Sequence, residues 1–122
     1  MIPSQMLKGI LQGSILAIIA KEETYGYEIS QSLLRYGFGT ISEGTIYPLL
    51  LRLEKSGFVS ARYRDSGIGP KRKYYRLTPK GKEELKTFQS SFFEMKKAVE
   101  SLPGFEREDF YERKDERTSQ GE

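Results

Sequence analysis

Between Ser42 and Val59 the chain reads SEGTIYPLLLRLEKSGFV, and a basic stretch, RYRDSGIGPKRKYYRL, follows from Arg62 to Leu77. In the first stretch Ile46, Leu49, Leu50 and Leu53 recur at the spacing of one helical face. Ser42 stands where a helix N-cap is favoured, and Gly57 where a helix stops. Lys55 sits in the last turn, where the helix dipole favours a cation. Pro48 lacks an N–H and is expected to distort the first turns. In the second stretch, Phe58 to Arg64 and Arg72 to Leu77 are rich in residues that suit a pleated strand, with the turn Asp65-Ser-Gly-Ile-Gly-Pro between them. An amphipathic helix followed by a basic hairpin admits few folds. It matches a groove-reading helix beside a ribbon that grips phosphates.

The flanking segments complete the pattern. Gln5 to Lys21 reads as a helix capped by Ser4, with Leu7, Ile10, Leu11, Ile15, Ile18 and Ile19 as its apolar positions. Thr24 is placed to cap a second helix, Tyr25 to Tyr36, that buries Tyr25, Ile29, Leu33 and Leu34. Gly37 and Gly39 stop it, with Phe38 as a core plug between them. After the hairpin, Thr78 caps a long helix with Pro79 at its first position, and Pro103-Gly104 ends it near Leu102. Along that helix Leu85, Phe88, Phe92, Met95, Val99 and Leu102 alternate steps of three and four, a coiled-coil-like seam. The expected fold is mostly α with a small β-hairpin: a winged helix-turn-helix plus a long C-terminal dimerisation helix. Residues 1–80 form the winged-helix domain, 81–104 the dimerisation helix, and 105–122 a charged tail expected to be disordered, with a frayed helical stretch near Glu106 to Lys114.

Composition narrows the function. A chain of 122 residues fits one thin-cored domain, so association with a second copy is expected. Cysteine and histidine are absent, which removes disulfides, zinc-finger ligands, thiol nucleophiles and imidazole bases. The carboxylate pairs Glu22-Glu23 and Glu83-Glu84 are sequence neighbours that point apart on helices, so neither forms an acid–base dyad. No metal cluster or cofactor motif is present, and the expectation is a binding protein and not an enzyme. The apolar run Ile15 to Ala20 is too short to cross a bilayer, and no signal-cleavage pattern follows it, which places the chain in the cytoplasm. Residues 1–80 hold twelve basic and six acidic side chains, whereas 81–122 hold eight and eleven. A basic body of this kind faces a polyanion.

The candidate DNA contacts follow from chemistry. At the start of the reading helix lie Ser42, Glu43, Gly44, Thr45, Tyr47 and Pro48. None is the Arg, Lys, Asn or Gln that makes the strongest bidentate base contacts. Thr45 and Tyr47 can touch base edges or thymine methyls, Glu43 can accept from a cytosine amine, and Gly44 lets the backbone approach. Arg52, farther along, reaches towards phosphate. In the hairpin, Lys71, Arg72 and Lys73 are the phosphate-gripping candidates, flanked by Arg62, Arg64, Arg76 and Lys80. Strand alternation puts Lys73, Tyr75 and Leu77 on the inward face and Tyr74 and Arg76 on the outward one. Gly67-Ile68-Gly69 lacks the pattern of a nucleotide-binding loop. A winged-helix module that binds another protein remains the alternative reading.

Three runs, TYGYEIS at Thr24 to Ser30, SEGTIYPLLLRLEKSG at Ser42 to Gly57 and GPKRKYYRLTPKG at Gly69 to Gly81, resemble the PadR family of bacterial transcriptional regulators. The resemblance implies a homodimeric winged-helix repressor, often responsive to a small hydrophobic, phenolic or toxic compound, that binds a double-stranded operator with an inverted repeat. The short region after the hairpin is similar to the compact branch with one C-terminal dimer helix. The family's reading element corresponds to Ser42–Pro48. Its dimer centre, built by the first and last helices, can hold planar hydrophobic ligands. Ile15, Ile19, Phe92, Phe93 and Met95 are the matching candidates here, without the tryptophan that a drug-binding member uses there.

Overall fold

A computed structural model describes residues 1–106. The element order is α1 (Ser4–Leu7), α2 (Leu11–Lys21), β1 (Thr24–Tyr25), α3 (Gly26–Arg35), α4 (Glu43–Lys55), β2 (Val59–Arg64), β3 (Arg72–Leu77) and α5 (Pro79–Glu100). One compact unit spans Met1–Thr87 and a second begins at Phe88. The compact fold therefore takes in the first turns of α5, past residue 80. No described helix is long and apolar enough to cross a membrane. The frayed helix and disorder expected of the tail fall almost wholly outside the described residues.

Apolar side chains from α1 to α4 meet in one core. Ile15, Ile29, Leu33, Ile46, Leu50 and Leu53 are fully enclosed, with Leu16, Ile19, Val59 and Tyr75 beside them. Each fully buried aliphatic side chain contributes about 1.5–3 kcal/mol by leaving water. Phe38 and Leu85 pack against this core as partly buried neighbours. Helix α4 runs unbroken across Pro48. The N–H that proline lacks would have bonded the carbonyl of Gly44, which is exposed and so can be hydrated.

The N-terminal region departs from expectation in four ways. The expected helix Gln5–Lys21 is two helices, interrupted at Lys8-Gly9-Ile10. Gly9 is a poor helix former, and Ile10 leaves the helix at φ −118° while its carbonyl accepts the Ser14 hydroxyl at 2.8 Å. Ser4 caps nothing, because the N-cap place falls to Pro3. Thr24 does not cap α3 either. Thr24 and Tyr25 form a short strand paired to Tyr75 and Tyr74, which turns the expected hairpin into a three-stranded sheet of order β1-β3-β2. A Thr-Tyr pair favours the pleat, and β3 offered an unpaired edge. The Thr24 hydroxyl is left buried without a hydrogen-bond partner. Finally, α3 buries Ile29, Ser32 and Leu33, while Leu34 lies exposed. Leu34 is one step of about 100° round from Leu33, which carries it off the inward face.

Glycines and a threonine set the junctions. Gly57 ends α4 with φ 80°, a left-handed value that suits glycine. The Thr78 hydroxyl donates to the Gly57 carbonyl at 2.6 Å and accepts the Gly81 N–H at 3.0 Å, capping α5 as expected. Gly81 has no room for a side chain, since an added Cβ would collide with the Phe58 carbonyl oxygen. The second unit is different in kind. Phe92 packs against Phe88 and Phe93, with ring centroids 6.3 and 5.6 Å away. Phe93, Met95, Val99 and Leu102 are exposed.

Candidate nucleic-acid interface

The buried stripe of α4 fixes which way its other face looks. With Ile46, Leu50 and Leu53 inward, Ser42, Glu43, Gly44, Thr45, Pro48, Leu51 and Arg52 are exposed. The first turn is ordered by its own polar atoms. The Ser42 and Thr45 hydroxyls lie 3.1 Å apart and share a hydrogen bond. Ser42 stands at the N-cap place in extended conformation, yet its side chain caps no backbone N–H. The helix therefore presents uncapped N–H groups at its start, a feature that attracts anions.

Tyr47 is held from two sides. Its hydroxyl donates to Glu43 Oε1 at 3.1 Å. Its ring lies over Gly26 at the start of α3, so close that a Cβ on residue 26 would stand 2.6 Å from Cε1. Burial, and then the Glu43 carboxylate, push the phenol's pKa above its ordinary value, so it stays a hydrogen-bond donor. Tyr47 remains 47% exposed, with its aim fixed by α3. Gly26 went unnoticed as a site residue in the sequence. The signal was the glycine inside the run TYGYEIS, whose partner lies twenty-one residues away.

The hairpin sorts its basic residues by strand register. Arg62 opposes Tyr74 and Arg64 opposes Arg72, while Tyr63 opposes Lys73 and Ala61 opposes Tyr75. Opposed residues share a face, so one face carries Tyr25, Arg62, Arg64, Arg72, Tyr74 and Arg76, and the other looks to the core. The outer face is a lattice of arginines and rings. Arg64 stacks over Tyr74 at 4.2 Å, Arg72 over Tyr25 at 4.7 Å, and the two rings pack at 5.1 Å.

Lys73 belongs to the inner side. Its ammonium donates to Glu54 Oε1 of α4 at 2.9 Å, and that bond raises its pKa. Lys73, expected to grip phosphate, thus already has a carboxylate partner on α4. Lys80 is likewise engaged, donating to the Ser56 carbonyl at 2.8 Å. Lys71 and Arg72 stay exposed at the edge of the turn, beside Gly67 and Gly69 with φ 83° and 88°. Ile15 and Ile19, expected at a ligand-holding dimer centre, are 0% and 2% exposed within one chain's own core.

Three relatives extend the geometry. A PadR-like transcriptional regulator from Bacillus cereus superposes with a TM-score of 0.74 at 49% identity, covering 82% of this chain and 97% of its own. Transcriptional regulator Rv3488 of Mycobacterium tuberculosis is 35% identical over 70% of this chain and 78% of its own length. The negative transcriptional regulator PadR of Bacillus subtilis is 33% identical over 62% of this chain and 43% of its own length. The structure of Bacillus subtilis PadR in complex with operator DNA shares the fold, with a TM-score of 0.61 at 24% identity over 91% of this chain and 70% of that one. A profile of the transcriptional regulator PadR-like family matches residues 15–87, from within α2 to the end of the compact unit. The chain belongs to the PadR-like family, which comprises transcriptional regulators and not enzymes.

Proposed function

We propose that the chain is a homodimeric, sequence-specific DNA-binding repressor acting in the cytoplasm on an operator with an inverted repeat. The observation that carries this reading is the start of α4: Ser42 to Thr45 are all exposed on a helix whose opposite face is fully buried. A rigidly seated helix end with free N–H groups and small polar side chains suits entry into a major groove. Lys71 and Arg72 would grip phosphate beside it, and Arg52 would do so farther along. The operator complex and the negative role of the Bacillus subtilis relative support the same assignment.

Dimerisation rests on the exposed seam of α5, where Met95 and Val99, with Leu102 just past the helix end, have no cover among the described residues. Contiguous apolar surface on a small chain calls for a partner, and a second copy is the simplest one. Phe92, Phe93 and Met95 are the residues offered to a small hydrophobic or phenolic effector, which would act by changing the spacing of two reading heads. The test is Phe92→Glu. Sedimentation should show monomers while the winged-helix unit keeps its helical signal, and binding to the upstream DNA of the gene should fall at least tenfold. An intact Phe92→Glu dimer with unchanged binding would remove the seam from the interface.

A further inference from the structure

Glu23 stands just before β1 and receives two arginines from β2. Arg62 Nε and Nη2 donate to Glu23 Oε1 at 3.3 and 3.0 Å, and Arg64 Nη1 donates to the same oxygen at 3.0 Å. The carboxylate is the fixed member of the cluster. Its side chain is 19% exposed, against 63% and 49% for the two arginines. The Arg62 hydrogen bond, with Arg64 adding to it, holds the Glu23 pKa below the ordinary carboxylate value. The arrangement is also braced from the side, because the Arg64 guanidinium stacks on Tyr74. Of the four arginines on the wing's outer face, Arg62, Arg64, Arg72 and Arg76, these two are turned onto an internal anion.

We infer that Glu23 withholds Arg62 and Arg64 from DNA phosphate and so restrains binding to random sequence. The proposal rests on the DNA-binding reading and deepens it. Phosphate neutralisation supplies nearly all non-specific affinity, and a regulator must keep that term low relative to its specific one. A carboxylate that occupies two guanidiniums lowers the non-specific term without touching the reading helix. Glu23 acts through the arginines and is a specificity-setting positioning residue.

The experiment compares full-length wild type with Glu23→Gln, using fluorescence anisotropy on a random-sequence duplex across a salt series. Glu22→Gln, a neighbouring exposed carboxylate, reports the effect of losing one negative charge alone. The variant Glu23→Gln should bind several-fold tighter than Glu22→Gln, and its salt slope should steepen by up to ~1.8 per reading head. Adding Arg62→Ala and Arg64→Ala to Glu23→Gln should erase the gain, whereas the same two changes in wild type should leave the slope as it was. That last arm keeps the inference open to refutation even if Glu23→Gln fails to fold. Equal slopes for Glu23→Gln and Glu22→Gln, or a lowered slope for Arg62→Ala/Arg64→Ala in wild type, would overturn the inference. A wild-type protein that binds no duplex, random or upstream, would instead overturn the DNA-binding reading on which it stands.

Discussion

The start of α4 and the wing are neighbours built on opposite electrostatic plans. The first turn of α4 carries a single charge, Glu43, whose carboxylate accepts the Tyr47 hydroxyl, and its other polar groups are two hydroxyls bonded to each other. The wing is crowded with cations, yet Arg62, Arg64 and Lys73 are held by carboxylates from other elements. The wing's sequence therefore overstates its free charge. Arg76 and Lys80 bond the Ser60 hydroxyl and the Ser56 carbonyl, while Lys71 and Arg72 at the turn are exposed with no hydrogen-bond or carboxylate partner described, although Arg72 also covers the Tyr25 ring. In the proposed reading affinity and discrimination are separable: the wing would supply the first through few residues, and α4 the second through weak contacts.

The largest effect expected from breaking this division is at the wing turn. Lys71→Ala with Arg72→Ala should weaken binding to operator and random DNA alike and reduce the salt slope by up to ~1.8 per head, read by titration at several ionic strengths. An unchanged slope would move phosphate binding elsewhere. Next comes Gly26→Ala. The new Cβ must displace the Tyr47 ring, so operator affinity should fall roughly tenfold, about 1.4 kcal/mol, while random-sequence binding stays the same. Equal losses on both DNAs would mean that Tyr47 does not discriminate. The smallest effect is expected for Lys73→Ala. With its charge committed to Glu54, its loss should leave the salt slope alone and cost stability by no more than about 1 kcal/mol, as for other partly exposed pairs. The Lys73 pKa is raised above its ordinary 10.5, so the pair's contribution is complete below that pH and fades as pH rises through the folded value. Wild type and Lys73→Ala should therefore converge in thermal midpoint under strongly alkaline conditions.

Much of this was legible in the sequence because periodicity and capping are local signals. The stripe of Ile46, Leu50 and Leu53, the strands of the hairpin and the Thr78-Pro79 start of α5 all lie where their spacing placed them. Strand alternation also put Tyr75 inside and Arg76 outside. What stayed hidden depended on pairs distant along the chain. Thr24 looked like a cap because its strand partner, Tyr75, lies beyond the whole helix-turn-helix. The break after Leu7 was masked by apolar residues that kept helical spacing on both sides of Gly9. The pairings of Glu23 with Arg62 and of Glu54 with Lys73 left no local trace at all, and they are what separates seven cations in the sequence from the few that remain free.

In the proposed dimer, weak readout by each head gains specificity from the fixed spacing of the two heads. The most direct measurement is operator affinity before and after insertion of about 5 base pairs, half a helical turn, between the half-sites. Such an insertion turns one half-site to the far side of the duplex. The affinity should fall to that of a random duplex, and inserting a full turn should not restore it, because the half-sites then lie farther apart than the heads. Binding as tight to the half-turn operator as to the original would rule out readout by two heads at a fixed spacing.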